Sequence, residues 1–304
     1  IDRNARLGGP WAFQSKSWTL SSFAPREIVR QKDKTFAAVL NRIRVGRATW
    51  SDTSWLNRLS FRPTPPTLTL FSSNEACRER NEQKLGALMA KEDIPSVTFE
   101  SRQSIVKLLT NNPWSVESVP LTAAGLQTVS FPASSSVTLC TGARVRATKN
   151  IYQPWSPGSA GGEVERILMV ANGQRGTVIS FSGGTNGSVT VAWDGLQKGD
   201  EAEEIVIRMS RKSKRQRFKL DGKFVYACVL FMPLELAWAV TVHSSQGSSV
   251  LDAVDVNHRV MTKDENDEWV PQAGGSYVAL SRATDVSNLK MLRRFHPNDA
   301  VLDP

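Results

Sequence analysis

Thr241-Val242-His243-Ser244-Ser245-Gln246-Gly247 is the stretch on which the reading of this chain turns. It follows an apolar run, Leu234 to Val240, that reads as a mostly buried helix with Pro233 at its first position. It precedes Val250 to Val256, which alternates like a strand. Hydroxyls, an imidazole, an amide and a glycine packed so closely are ill suited to a core. They suit a surface that hydrogen-bonds a phosphodiester chain through short donors while the glycine lets backbone approach closely. A polar helix C-terminus capped by Gly247 is the other reading.

Working outward, the chain downstream alternates between helix and strand. A polar loop runs to Gly275, Tyr277 to Ala283 reads helical, and Leu289 to Leu292 reads as a strand. Upstream, residues 142 to 231 form short β-type runs separated by Asn172-Gly173, Gly183-Gly184, Asn186-Gly187 and Asp194-Gly195. Arg217 to Leu220 and Lys223 to Leu230 flank Asp221-Gly222, a strong two-residue hairpin signal. This spacing predicts a small β-barrel. Further upstream, Ile28, Phe36, Val39, Leu40 and Ile43 give a helical period ending at Gly46, and Pro63, Pro65 and Pro66 form a stiff connector. Thr67 to Phe71 reads as a buried strand, with Ser72 and Ser73 placed to cap a helix from Asn74 to about Met89. An α/β domain interrupted by an inserted β module is the expected architecture.

Composition sets the bounds. The chain has 304 residues, enough for about two domains, with 40% apolar and 22% charged residues, which excludes a disordered polypeptide. No apolar run approaches the roughly 18 residues of a membrane span, so no membrane partner is expected. The start, Ile-Asp-Arg-Asn, has neither Met nor an apolar signal core and is not expected to be the natural beginning. Cys77, Cys140 and Cys228 lie far apart, as do His243, His258 and His296, so no metal-ligand cluster is expected and the thiols read as buried and reduced. The net charge of +9 favours an anionic partner. Much of it sits in Arg208 to Lys219, which holds seven basic residues, among them Arg211, Lys212, Lys214 and Arg215, and no acidic one. On a hairpin of the barrel this run would contact nucleic-acid phosphates; a solvated or localisation-like basic tract is the alternative.

A second stretch carries chemistry: Gly274-Gly275-Ser276-Tyr277-Val278-Ala279-Leu280-Ser281-Arg282-Ala283. Tyr277 and Leu280 share a helix face and pack inward, while Arg282 leaves in another direction. Such an arginine can neutralise charge on a transferring phosphoryl group, or simply end a solvated helix.

Leu236-Ala237-Trp238-Ala239, Thr241 to Gly247 and Tyr277 to Ala283 together resemble motifs V and VI of the Pif family of superfamily-1 DNA helicases. Phe13 to Trp18, Val29 to Phe36 with Leu40 to Gly46, and Thr141 to Val145 with Asn172 to Val178 are similar to further blocks of that family, in the same order. The resemblance implies an α/β fold: a RecA-like (P-loop NTPase-type) domain with an inserted small Src-homology-like β-barrel. Residues 1–24 would be the tail of a first RecA-like domain, 25–148 and 233–304 the second, and 149–232 the barrel.

It also implies an ATP-dependent 5′-to-3′ DNA helicase acting in DNA repair and recombination, in the nucleus or mitochondrion. Arg282, as arginine finger, and Arg30 would reach the γ-phosphate, with Gln246 and Gly247 at the junction of nucleotide and DNA. Thr241, His243, Ser245 and Asn74 would touch the single strand. The partners implied are single-stranded DNA, DNA forks and the N-terminal RecA-like domain of the same protein. ATP and Mg²⁺ would be held mainly by that other domain, because no Gly-x-x-x-x-Gly-Lys-Ser/Thr occurs in this chain. The chain alone is therefore expected to be inactive as an ATP hydrolase. The contrasting expectation is an inactive helicase-like scaffold that binds nucleic acid within a larger assembly. Ser244 stands where the family usually carries lysine.

Overall fold

The computed structural model describes residues 31–59, 67–91, 94–108, 116–120, 136–152, 168–198, 201–209, 212–220, 223–246, 254–263 and 266–300. Asp33 starts the first helix by accepting from the backbone N–H groups of Thr35 and Phe36. Phe36, Val39, Leu40 and Ile43 then recur on one buried face of α1 (Lys34–Arg44). Thr49 and Asp52 shape the start of α2 (Trp50–Leu59), where Asp52 also accepts from Arg42 at 2.5 and 2.9 Å and ties the two helices together. β1 (Leu68–Phe71) follows, and Ser73 caps α3 (Asn74–Met89) by accepting from the Ala76 N–H at 3.2 Å, both as expected.

Next come β2 (Ser96–Glu100), β3 (Arg102–Leu108), β4 (Val116–Pro120) and β5 (Ser136–Cys140), which the sequence reading did not anticipate. The run of short strands then begins with β6 (Arg144–Ala147), β7 (Ile151–Tyr152), β8 (Leu168–Val170) and β9 (Arg175–Ser182). It continues with β10 (Ser188–Lys198), β11 (Glu201–Met209), β12 (Lys212–Leu220) and β13 (Lys223–Phe231). β14 (Leu234–Leu236), β15 (Ala239–Thr241), β16 (Val254–Val256), β17 (Met261–Lys263), β18 (Trp269–Pro271), α4 (Gly275–Leu280) and β19 (Leu289–Met291) complete the order.

Four strands form a wholly parallel sheet in the order β15-β1-β16-β19, with Leu70 opposite both Val240 and Val256. Leu68 and Leu70 point to one face, where they join Val254, Val256, Phe36, Leu40 and Leu56 in a single apolar core with α1, α2 and α4. Thr69 and Phe71 point to the other face, towards Ala76 and Glu79 of α3. Helices thus cover both faces, as a parallel sheet requires.

A second core belongs to a five-stranded antiparallel sheet, order β11-β10-β9-β6-β14, built on Val145, Val178, Val189, Val191 and Trp193. Its order runs open from β11 to β14 among the described residues, so antiparallel strands are present where a barrel was expected, without ladder closure. β6 and β14 belong to this sheet although they flank the 149–232 segment.

Two expectations are corrected. Leu234 to Val240 is not a helix: Leu234 and Leu236 pair with Ala147 and Val145 on β6, and Ala239 then enters the parallel sheet opposite Thr69. A continuous apolar run has no period that separates a helix from two buried strands, and the two ladders decide it. The basic hairpin also lies elsewhere. Leu220 faces Lys223 as its turn predicts, but β12 and β13 join β3 and β4 in a separate four-stranded sheet instead of the five-stranded one. No described helix is long and apolar enough to cross a membrane.

Candidate nucleic-acid interface

The site grows from the end of β15. This is an edge strand, and its outward backbone groups need partners. Asn81 supplies them: its Nδ2 donates to the carbonyls of Ala239 at 2.9 Å and Leu236 at 3.3 Å, and its Oδ1 accepts from the Ala239 N–H at 2.8 Å. Beyond Thr241 the chain turns through a single 3₁₀ turn, His243–Ser245. Thr241 Oγ1 accepts from the Ser244 N–H at 3.1 Å and lies 2.7 Å from Ser244 Oγ, while Ser245 Oγ donates to the Val242 carbonyl at 2.7 Å.

These bonds revise the expected roles. Thr241 and Ser245 are 8% and 4% exposed, and their hydroxyls are used within the loop, so they shape it instead of offering themselves to a strand. His243, Ser244 and Gln246 are the exposed members.

A groove of about 650 Å³ opens beside the loop. Asn74, Arg78, Asn81 and Leu85 line one wall at helical spacing along α3, with Leu236, Val240, Thr241 and Ser244 opposite. Arg146 and Glu235 close another side and pair with each other at 2.8 Å. Cys77 also lines the groove, and burial pushes its thiol up to about 11, so it stays protonated. Asn74 and the Thr241 loop, far apart in sequence, therefore share one surface.

The other flank of the loop meets α4. Gly274, at φ 68°, turns the chain into this helix, and Gly275 lies so close to Val260 that a Cβ would sit 2.7 Å from the Val260 Cβ. The helix thereby brings Arg282 under the loop. Arg282 is 8% exposed; its Nε donates to the Val278 carbonyl at 2.9 Å, and its two terminal nitrogens reach the Ser245 carbonyl at 3.3 Å and Ser281 Oγ at 3.1 Å. The two sequence stretches are joined by this guanidinium, which points inward and does not project. Gln31 donates to the carbonyls on either side of it, Ser281 at 3.0 Å and Ala283 at 3.4 Å.

Arg30, Gly247 and Arg211 fall outside the described residues, as does Phe13 to Trp18. Lys212 is exposed at the start of β12, and Lys214 and Arg215 follow on the same strand, in the sheet of β3 and β4 and not at the loop. Among the described residues no group of His, Cys, Asp and Glu side chains could hold a metal ion. Of the two side chains that pin this site, Gln31 lies within the family-like block Val29 to Phe36 without being singled out there, and Asn81 carried no signal in the sequence.

A parallel sheet with helices on both faces and a polar loop at the carboxyl end of its edge strand is an open α/β domain of the class that binds its ligands along that edge. Comparison with known proteins narrows this. No family model matches the chain. It is 30% identical over 286 residues to an ATP-dependent DNA helicase PIF1 of Danio rerio, covering 93% of this chain and 37% of that protein. It is 27% identical over 303 residues to the human PIF1 helicase, covering 97% of this chain and 38% of that one. The Pif1 helicase structure from Candida albicans superimposes with a TM-score of 0.63 at 21% identity, over 96% of this chain and 61% of its own. A Bacteroides Pif1 bound to ssDNA gives 0.57 at 22% identity, over 91% and 53%. By sequence and by fold the chain is Pif1-like, and it spans little more than a third of the length of these curated relatives.

Proposed function

We propose that the chain supplies the second RecA-like domain of an ATP-dependent 5′-to-3′ DNA helicase, with the β12–β13 hairpin and the five-stranded sheet as modules inserted in it. The observation that carries this reading is the Arg282 bond to the Ser245 carbonyl, which couples the arginine of one motif to the DNA-facing loop of the other. The likeness to helicases named as ATP-dependent, and to Pif1 structures titled as complexes with ssDNA and with ADP-AlF3, supports it.

In this reading a single strand of DNA lies in the groove between α3 and the loop. Ser244 and Asn74 present short donors to its phosphates from the groove wall, where Val240 and Leu236 also lie, and exposed His243 adjoins Ser244 on the loop. ATP, bound with Mg²⁺ by the partner RecA-like domain, supplies the free energy of its hydrolysis. Arg282 reaches that nucleotide only by turning away from the Ser245 carbonyl, and its bond to that carbonyl holds the loop in its 3₁₀ turn.

Arg282→Ala in the full protein tests the assignment. Nucleotide turnover should fall by about 10³ or more, the scale of arginine fingers, while single-strand binding survives. Normal turnover would refute the role of Arg282. Turnover absent from the wild-type full protein, with binding retained, would leave the scaffold in its place.

A further inference from the structure

All four strands of the RecA-like sheet are parallel, so their carboxyl ends share one edge. Ligands of open α/β sheets bind outside such an edge. The proposed DNA loop follows β15, and Ser72 to Asn74 follow β1. The far end of the edge has a different chemistry. Arg259 lies just beyond β16, and Arg293 and Arg294 just beyond β19. Three strand spacings separate β15 from β19, about 14 Å.

One carboxylate organises this far end. Asp299 Oδ2 lies 3.1 Å from His258 Nε2 and accepts from the His296 backbone N–H at 2.9 Å, and its Oδ1 lies 3.9 Å from Arg259 Nε. Burial holds His258 below its ordinary value, and Arg293 and Arg259 stand close enough to push it the same way. With His258 neutral, Arg259 pairs with this carboxylate, and Arg293 and Arg294 add positive charge just beyond β19. The Arg259 side chain is 43% exposed, and Arg293 and Arg294 are exposed. Trp50 is 67% exposed, with its ring edge-on at 4.9 Å to His296, whose backbone N–H donates to the same Asp299 carboxylate. Exposed arginines with an adjoining exposed indole are the pairing that single-strand binders use.

We infer that the β19 end of this edge is a second contact for the same DNA strand. Arg259, Arg293 and Arg294 take phosphates there, and Trp50 offers a face to a base. The inference rests on the reading of the Thr241–Gln246 loop as a DNA contact and extends its footprint along the sheet edge.

Fluorescence anisotropy with labelled oligothymidylates of about 5 and about 15 nucleotides, within the site sizes of single-strand binders, tests it on the full chain. Replacing both Arg293 and Arg294 with glutamine should reduce the salt slope for the long oligonucleotide by about 1.4, at about 0.7 per phosphate. Between 1 M and 0.1 M salt that slope corresponds to a loss of about 25-fold. The short oligonucleotide should bind unchanged, R293K/R294K should restore the slope, and an unchanged melting temperature shows that the fold is kept. Unchanged affinity and slope for the long oligonucleotide, with wild-type binding intact, overturn the inference alone. Equal loss on both oligonucleotides also overturns it. Failure of the wild type to bind either overturns the loop reading itself.

Discussion

Asn81→Ala removes the side chain that closes the open edge of β15. Two of its three bonds, at 2.8 and 2.9 Å, are short enough to count fully, and the third, at 3.3 Å to Leu236, is weak. At about 1 kcal/mol each, the strong pair contributes about 2 kcal/mol. The Ala239 N–H and carbonyl are then left beside a groove that water can enter, so their desolvation penalty falls at the low end, about 1 kcal/mol. Alanine is the better helix former by about 0.5 kcal/mol, which offsets part of this. The balance is a loss of about 2.5 kcal/mol, read as a lower urea midpoint at unchanged slope. Because Ala239 lies two residues before Thr241, affinity for single-stranded DNA should fall with it. A loss below about 0.5 kcal/mol would refute the assignment of Asn81 as the partner of this edge.

Two further outcomes follow from buried contacts. Asp52 is held at about 2, well below 3.8, chiefly by its hydrogen bonds from Arg42. Its stabilisation is complete above 3.8 and is lost as pH falls through about 2; the gap equals about 2 kcal/mol, which solvent around the 42%-exposed Arg42 cuts to about 1 kcal/mol. Asp52→Asn should therefore flatten the acid limb of a stability profile between pH 5 and 2, and an unchanged limb would remove Asp52 from it. Glycine-to-alanine changes should have opposite signs at two helical sites. At Gly275 the new methyl meets Val260 at 2.7 Å and costs about 1–3 kcal/mol, whereas at Gly86 nothing lies within 4 Å and the helix gains about 1 kcal/mol, both read by thermal melting.

The legible parts of this fold were those fixed by near neighbours. Ser73 caps α3 three residues on, and Leu68 to Phe71 alternates between faces, so both could be read directly. The apolar run from Leu234 could not, because its two strands are assigned by Val145 and Thr69, far away in sequence. The site divides in the same way. The polar character of Thr241 to Gln246 marked it as a surface, but which hydroxyls turn inward depends on a 3₁₀ turn that composition does not encode. Asn81 was silent because its partners lie 155 and 158 residues away. Arg282 does leave the face shared by Tyr277 and Leu280, but what it bonds to was not legible: four-residue spacing returns its Nε to the Val278 carbonyl.

The loop proposed to face DNA thus hangs between two anchors of unequal strength. On the groove side, Ala239 is held by the β1 ladder and by both ends of the Asn81 amide. On the other side, the Ser245 carbonyl is held by Arg282 at 3.3 Å, near the limit of a hydrogen bond, so a shift of about 0.5 Å in the guanidinium breaks it. Ser281 and Ala283, which flank Arg282, are themselves tied to Gln31, the residue after Arg30. Movement of Arg282 relative to the sheet therefore acts first on the weaker anchor. Exposed His243 and Ser244 lie between the two anchors, so loss of the weaker one frees them before it disturbs the strand held by Asn81.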